Sequence, residues 1–543
     1  MIAPSMKSLA TLPLLAVFLT LPAASQAPAP TAPTKGILTP EQIDAQWIEA
    51  SHKYDAERSR LLADNARTIA AGPFRDDWES LATSQIPTWY DDAKFGIFIH
   101  WGLFSVPAWG NEWYSRNLYQ QSEKEYAHHA ATYGPQDKFG YKDFIPMFTM
   151  QHFDPNAWAS LFQQAGARYV VPVAEHHDGF PLYNTGVSDW SAAKMGPHRD
   201  IFGDLATAVR AKGMHLGASS HRAEHDWFFD GGRSESSDVN DPKYAEFYGP
   251  AQPRNLQGSE DLDLTHDFTH VSQAFLNDWL ARTTEIVEKY HPDLIYFDWW
   301  VGQPDFRASE RKFAAFYYDF AAQHHQPVVM NYKLDNMAND SGVHDIERGG
   351  LNDIPARHWQ TDTSISNAGW GYLEHDTFKS PQTLIHNLVD VVSKNGNLLL
   401  NIGPRPDGTI PNEVRDTLLA MGRWLDQNGE AIYASRPWTQ SGEGPTQLAA
   451  GTFQDRTQKP YTSEDFRFTT NKGNLYAIEL GWPSTGQTVI HSLPTGKKTV
   501  TQVDLLGSSD NLPFTQTSDG LHITLSTQSP NNIAYTFRIH LQP

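Results

Sequence analysis

Between residues 87 and 402, short apolar runs alternate with segments of helical period, and this alternation limits the fold more than any other property of the chain. The runs lie at 95–99, 169–173, 214–218, 294–297, 328–330 and 398–400. Helical segments open at Asp154-Pro155, Asp204, Phe275, Ser309 and Ser380-Pro381, and glycines such as Gly166, Gly213 and Gly396 stop them. Short apolar runs bounded by turn signals suit strands buried on both faces, with the helices serving as crossovers. Parallel strands connected in this way build either a closed (β/α) barrel or a doubly wound open sheet.

What ends each run favours the barrel. Polar side chains suited to chemistry follow six of them: His100, His176, His221, Asp298, Lys333 and Asn401. In a barrel all strand ends converge on one rim, whereas an open sheet gathers its ligands at one switch point. The expected fold is therefore α/β, a (β/α)8-like TIM barrel over residues 85–440. Beyond Trp438 the helical period vanishes, and short runs at 466–470, 475–478, 488–490, 500–505, 521–525 and 533–540 predict a C-terminal β-sandwich over 441–543. Residues 28–84 are expected to be a Pro-rich linker and then a long helix or helical hairpin over 39–71, ended by Gly72-Pro73.

Residues 1–27 are expected to be a signal peptide, with Lys7 ahead of an apolar run at 9–21 and a cleavage site at Ser25-Gln26-Ala27. The run is too short to span a bilayer of about 30 Å. A periplasmic or secreted bacterial protein is expected, with an uncleaved anchor as the alternative. The chain has no cysteine, which excludes disulfides and thiolate metal sites. A net charge of −21 disfavours nucleic acid and anionic membranes as partners. Homo-oligomerisation is compatible with these properties. The 17 tryptophans supply flat apolar faces on which sugar C–H groups can stack.

The stretch Leu294-Ile295-Tyr296-Phe297-Asp298-Trp299-Trp300 delivers a carboxylate from a rigid strand between aromatic walls. Glu112-Trp113-Tyr114 adds a second carboxylate beside indole and phenol, and His176-His177-Asp178-Gly179-Phe180 adds two imidazoles. Adjacent histidines seldom bind one ion from a single short loop, and His221-Arg222-Ala223-Glu224-His225 lacks the zincin arrangement, so neither metal nor cofactor is expected. Acidic groups, histidines and indoles together are what glycoside hydrolysis requires: one carboxylate attacks or guides water, and one protonated acid assists the leaving oxygen. Physical chemistry alone reaches a barrel glycosidase with unassigned roles.

Five ordered blocks carry a resemblance. They are Lys94-Phe95-Gly96-Ile97-Phe98-Ile99-His100-Trp101-Gly102, Asn111-Glu112-Trp113-Tyr114, His176-His177-Asp178-Gly179-Phe180, Gly196-Pro197-His198-Arg199-Asp200 and Ser393-Lys394-Asn395-Gly396-Asn397 running on to Pro404. Asn428-Gly429-Glu430-Ala431-Ile432-Tyr433 continues them. Together they resemble an α-L-fucosidase of glycoside hydrolase family 29 over about residues 85–440. The resemblance implies a (β/α) barrel with a C-terminal β-sandwich and retaining hydrolysis of terminal α-L-fucose from a fucosylated glycan, without a cofactor.

By motif position it makes Asp298 the nucleophile and His100, Glu112, Trp113, His176 and His177 fucose-binding residues. Tyr296 occupies the family's aromatic position two residues before the nucleophile. His221, Trp300 and Lys333 join the expected sugar-binding set as strand-end neighbours. The acid/base falls at Glu347 in Asp345-Ile346-Glu347-Arg348-Gly349, with Glu112, Glu175 and Glu374 as competitors. One departure stands out: where many relatives have Tyr-Tyr-Ser, this chain has Ser219-Ser220-His221-Arg222, so His221 or Arg222 is expected to take the tyrosine's place. The alternatives are a related exo-glycosidase acting on α-L-galactosides and a non-catalytic glycan-binding protein.

Overall fold

The computed structural model describes residues 38–258, 262–455, 459–509 and 511–542, so the expected signal peptide lies outside the described residues. Eight parallel strands close into a barrel in sequence order. They are β1 Phe95–Ile99, β2 Tyr169–Glu175, β3 His215–Ser220, β4 Leu294–Phe297, β5 Val329–Lys333, β6 Val343–Asp345, β7 Trp359–Ser364 and β8 Gly396–Ile402. The cylinder is sealed between β1 and β8, with Phe95 opposite Leu398 and Ile99 opposite Ile402. The TIM-barrel expectation thus holds, and all strand ends share one rim.

Two strands escape a search for apolar runs. β6 is three residues long, and β7 reads Trp-Gln-Thr-Asp-Thr-Ser, yet every residue of β7 is buried. Most of its polarity is satisfied inside the barrel, Asp362 Oδ1 being without a hydrogen-bond partner. Gln360 accepts from the hydroxyls of Tyr90 at 2.8 Å and Tyr169 at 3.0 Å, and its amide donates to Asp345 at 2.7 Å. A buried polar layer is tolerated when each group finds its partner. The expected strand–helix alternation also fails here, because β5, β6 and β7 are joined by loops 334–342 and 346–358 rather than by helices.

The 39–71 region forms two helices, Pro40–Ser51 and Asp55–Ala71, interrupted by a single 3-10 turn. Thr39 and Gln42 cap the first reciprocally, and Pro40 occupies its first turn, where a missing N–H costs nothing. The second helix lies against the barrel helices Gln273–Tyr290 and Arg307–Gln323, with Asn65 donating to Thr284 at 3.0 Å.

Downstream, the antiparallel strands β9 Arg436–Glu443, β10 Phe466–Asn471, β11 Asn474–Glu479, β12 Gln487–Ile490, β13 Val500–Leu505, β14 Phe514–Thr517, β15 Gly520–Thr524 and β16 Tyr535–Leu541 follow. They make a five-stranded sheet, β13-β16-β11-β10-β9, and a three-stranded sheet, β12-β15-β14, as expected of a sandwich. Phe468, Ile478, Ile490, Phe537 and Ile539 are fully buried, each contributing about 1.5–3 kcal/mol by burial. The sandwich is tied to the barrel through Arg467, which donates to Asp390 at 2.6 Å, and Trp424, which donates to the Ala534 carbonyl at 2.9 Å.

Candidate active site

A cavity of about 440 Å³ opens at the C-terminal rim of the barrel. Its floor and walls collect groups that follow successive strands: His100 after β1, His176 and His177 after β2, His221 after β3, Asp298 after β4, Lys333 at the end of β5, Glu347 after β6 and Asp362 within β7. Asn401, on β8, lies behind His100 and accepts from its backbone N–H at 3.1 Å. Strands hold these side chains more precisely than loops could, because both neighbouring strands fix each backbone.

The electrostatic centre is Lys333. Its ammonium lies 3.5 Å from Asp298 Oδ1 and 3.4 Å from Asp362 Oδ2, and it donates a short hydrogen bond to Glu347 Oε2. One hydrogen-bond length added to 3.5 Å bounds the Asp298–Glu347 oxygen separation at about 6.5 Å. That upper bound only reaches the lower edge of the range for inverting enzymes and is compatible with retention.

The two carboxyls differ in their hold on protons. Burial works to raise the Asp298 pKa, but the Lys333 ammonium and His221 override it and keep the carboxylate ionised well below the usual range. Burial pushes Glu347 up to about 7; Lys333 opposes this while Asp362 and Asp298 add to it. His221 Nδ1 is 3.1 Å from Asp298 Oδ2, and its Nε2 is 2.8 Å from Ser219 Oγ. Tyr296 donates to Asp362 at 2.8 Å, so the phenol two residues before Asp298 orients the third carboxylate of the cluster.

Neutral imidazoles line the same cavity. Burial drives the His100 and His176 pKa values well below the ordinary histidine range. His100 Nδ1 lies 2.8 Å from Asn401 Oδ1, which leaves Nε2 for a ligand, and His176 Nδ1 has no hydrogen-bond partner. His177 stacks on Phe228 at 5.1 Å, with Nε2 3.8 Å from Asp298 and Nδ1 3.4 Å from Glu224. Such donor–acceptor pairs suit ring hydroxyls. Two sets of side chains, His100/His176/His221 and His177/His221/Asp298, also bring ligand atoms within 4.8 Å of one another and, among the described residues, are the groups that could hold a metal ion. Glu112 Oε2 accepts from the Trp370 N–H at 2.8 Å, and Trp113 and Trp370 complete the aromatic wall.

The structure therefore brings His100, Glu112, Trp113, His176, His177, His221, Tyr296, Asp298, Lys333 and Glu347 to one cavity. Trp300 is a correction. It is fully buried and donates through its indole to Asp267 at 2.7 Å, because the 3-10 turn after Asp298 points it inward and leaves Trp299 on the cavity wall. Of the other acid/base competitors, Glu175 is buried against Arg222 at 2.9 Å and Glu374 is exposed, and neither lines the cavity. Of the two residues expected to replace the relatives' tyrosine, His221 reaches Asp298 while Arg222 turns away to Glu175 and Asp278. Sequence reasoning missed Asp362, Trp370 and Glu224. Asp362 sits in a polar strand that hydropathy conceals. Glu224 is fully buried, with its pKa pushed up to about 8 by burial and by Asp298.

Carboxyl groups held this close, one ionised and one apt to carry a proton, suit the cleavage of a glycosidic bond, and with the barrel they define a glycoside hydrolase. The sequence profile of the α-L-fucosidase family matches residues 61–430, and that of the α-L-fucosidase C-terminal domain matches 458–540. The chain belongs to the α-L-fucosidases, glycoside hydrolase family 29. Tissue α-L-fucosidase of Rattus norvegicus is 34% identical over 480 residues, 87% of this chain and 93% of the relative. The human tissue enzyme is 33% identical over 472 residues, 86% and 90% of the two chains. Among solved structures, Thermotoga maritima α-fucosidase superposes with a TM-score of 0.67 at 30% identity, covering 86% of this chain and 100% of that one.

Proposed function

We propose that this chain is an exo-acting, retaining α-L-fucosidase in which Asp298 is the nucleophile and Glu347 the acid/base. An Asp298 oxygen bonds to the anomeric carbon as the bond from that carbon to the leaving oxygen breaks, and the Glu347 proton passes to the leaving oxygen. Water then attacks the same carbon from the vacated side, giving one proton to the Glu347 carboxylate as the bond to Asp298 breaks. Two inversions return the α-anomer of fucose.

The observation that carries this reading is the split acidity of two carboxyls gathered on one ammonium, with Asp298 kept ionised and Glu347 raised to about 7. His100, His176, His177, Glu112 and Trp113 hold the sugar hydroxyls and ring, and His221 fixes Asp298 through Oδ2 while Lys333 faces Oδ1. A Thermotoga relative has been solved in complex with fucose, which supports the same sugar here. Residues 1–27 are the basis for inferring export of the enzyme; among the described residues no helix is long and apolar enough to cross a membrane.

Incubation with a 2-fluoro fucosyl fluoride followed by peptide mapping tests the assignment. The fucosyl mass is expected on the peptide containing Tyr296-Phe297-Asp298. A label on the Glu347 peptide, or a first product of inverted configuration, would overturn it.

A further inference from the structure

Phe453 lines the same cavity as Asp298 and Glu347, yet it is 48% exposed and comes from outside the barrel, from the stretch that follows the sandwich strand β9. That stretch, 444–455, falls between the two ranges matched by the family profiles. Its backbone is built onto the loop that carries Glu347. The Phe453 N–H donates to the Glu347 carbonyl at 2.9 Å, and the Asp455 N–H donates to the Arg348 carbonyl at 2.9 Å. Gly350 and Gly451 exchange a pair of hydrogen bonds at 3.2 and 3.0 Å. The two loops approach so closely that a Cβ on Gly349 would lie 2.0 Å from the Gly451 carbonyl oxygen. Asp455 anchors the far end, accepting from Thr363 at 2.8 Å and lying 3.1 Å from the Lys379 ammonium.

Phe453 itself has φ +56°, a left-handed conformation that β-carbon residues rarely adopt unless their surroundings impose it. The imposed turn presents an apolar ring to the cavity mouth. An acid that protonates the leaving oxygen must lie beside the leaving group, so a ring hydrogen-bonded through its own backbone to Glu347 stands on the leaving-group side. Trp299 and Leu262 supply further apolar surface to the same cavity.

We propose that Phe453 is the platform of a leaving-group subsite, on which the apolar C–H face of the sugar bonded to fucose stacks. The inference rests on Glu347 being the acid/base. It makes Phe453 a specificity-determining residue supplied from outside the barrel, so that the stretch after β9 selects among fucosides that share the same fucose contacts.

Phe453→Ala and Phe453→Tyr are compared with wild type on three donors: α-L-fucosyl fluoride, 4-nitrophenyl α-L-fucoside and a fucosyl-hexose disaccharide. Fluoride leaves without occupying the subsite, and nitrophenolate occupies it but needs little acid assistance. For Phe453→Ala, kcat/KM on the nitrophenyl donor and the disaccharide is expected to fall about ten-fold relative to that on the fluoride, with Phe453→Tyr restoring most of the loss. Equal losses on all three donors, a loss on the disaccharide alone, or no loss overturns the platform, the second outcome meaning that Phe453 only positions Glu347. If wild type turns over none of the three, the fucosidase reading itself falls, and that failure is separate from one in which only the ratios stay flat.

Discussion

Two clusters of buried charge meet at neighbouring residues, since His221 belongs to one and Arg222 to the other. At the rim, the single ammonium of Lys333 faces Asp298, Glu347 and Asp362. Behind it, three guanidiniums face two carboxylates. Arg58, Arg222 and Arg282 bond Asp278 at 2.8, 2.9 and 2.8 Å, and Arg222 reaches Glu175 at 2.9 Å. Burial works to raise Asp278 too, yet Arg282, Arg222 and Arg58 hold it well below the carboxylate range. The same ingredients at the same depth give opposite behaviour because the ratio of cations to anions differs. A surplus of cations locks Asp278 ionised and makes a strut; a deficit leaves one carboxyl able to hold a proton near neutrality and makes a site.

The largest expected effect tests the rim. Asp298→Gly should lower turnover of an aryl fucoside by at least about 10³-fold, with partial rescue by azide standing in for the lost carboxylate. Turnover within ten-fold of wild type would remove the nucleophile from the cluster. The strut should respond in stability instead. Asp278→Ala removes the acceptor that Arg58, Arg222 and Arg282 share, leaving the buried Arg222 and Arg282 with Glu175 alone, and is expected to cost about 3–5 kcal/mol, read from urea unfolding followed by tryptophan fluorescence. An unchanged urea midpoint would mean that the network holds nothing together.

Lys333→Met sharpens the contrast from the other side. The ammonium opposes the rise of the Glu347 pKa, so removing it should move the alkaline limb of kcat/KM upward from near 7 by about one unit or more. A downward move would reverse the electrostatic account.

The smallest effect is in the pH dependence of folding. Glu347 takes up its proton near 7 when folded and near 4.5 as an unperturbed side chain, so between those values the native state binds a proton that the unfolded state does not. Stability contributed at this site therefore falls as pH rises through that window. Asp278 behaves oppositely, its contribution being present above the ordinary Asp value of 3.8 and lost as the pH drops through its depressed folded value. Urea midpoints of wild type measured against Glu347→Gln across pH 4.5–7 should show a relative decline in wild type only. Parallel curves would deny the raised carboxyl.

Much of the rim was legible from one dimension. Residues 95–99, 169–173 and 294–297 are apolar because both strand faces are buried, and that pattern survives in sequence with the polar residue that ends each run. What stayed hidden was polar and buried at once. β7 carries Asp362 in a strand whose hydrogen bonds, not its hydropathy, make it an interior element.

The sequence by itself determined the strand–helix rhythm outside β5–β7, the sandwich that follows it, the family and the polar residues that follow six of the strands, because these are local patterns fixed by backbone period and side-chain type. Only the tertiary structure decided that Trp299 rather than Trp300 faces the cavity, that one lysine serves three carboxylates, that Arg222 left the site for a strut, and that Phe453 stands beside Glu347. Those facts depend on distances between segments far apart along the chain. Such distances are set when the barrel closes and the loops pack over its rim, so no local pattern encodes them.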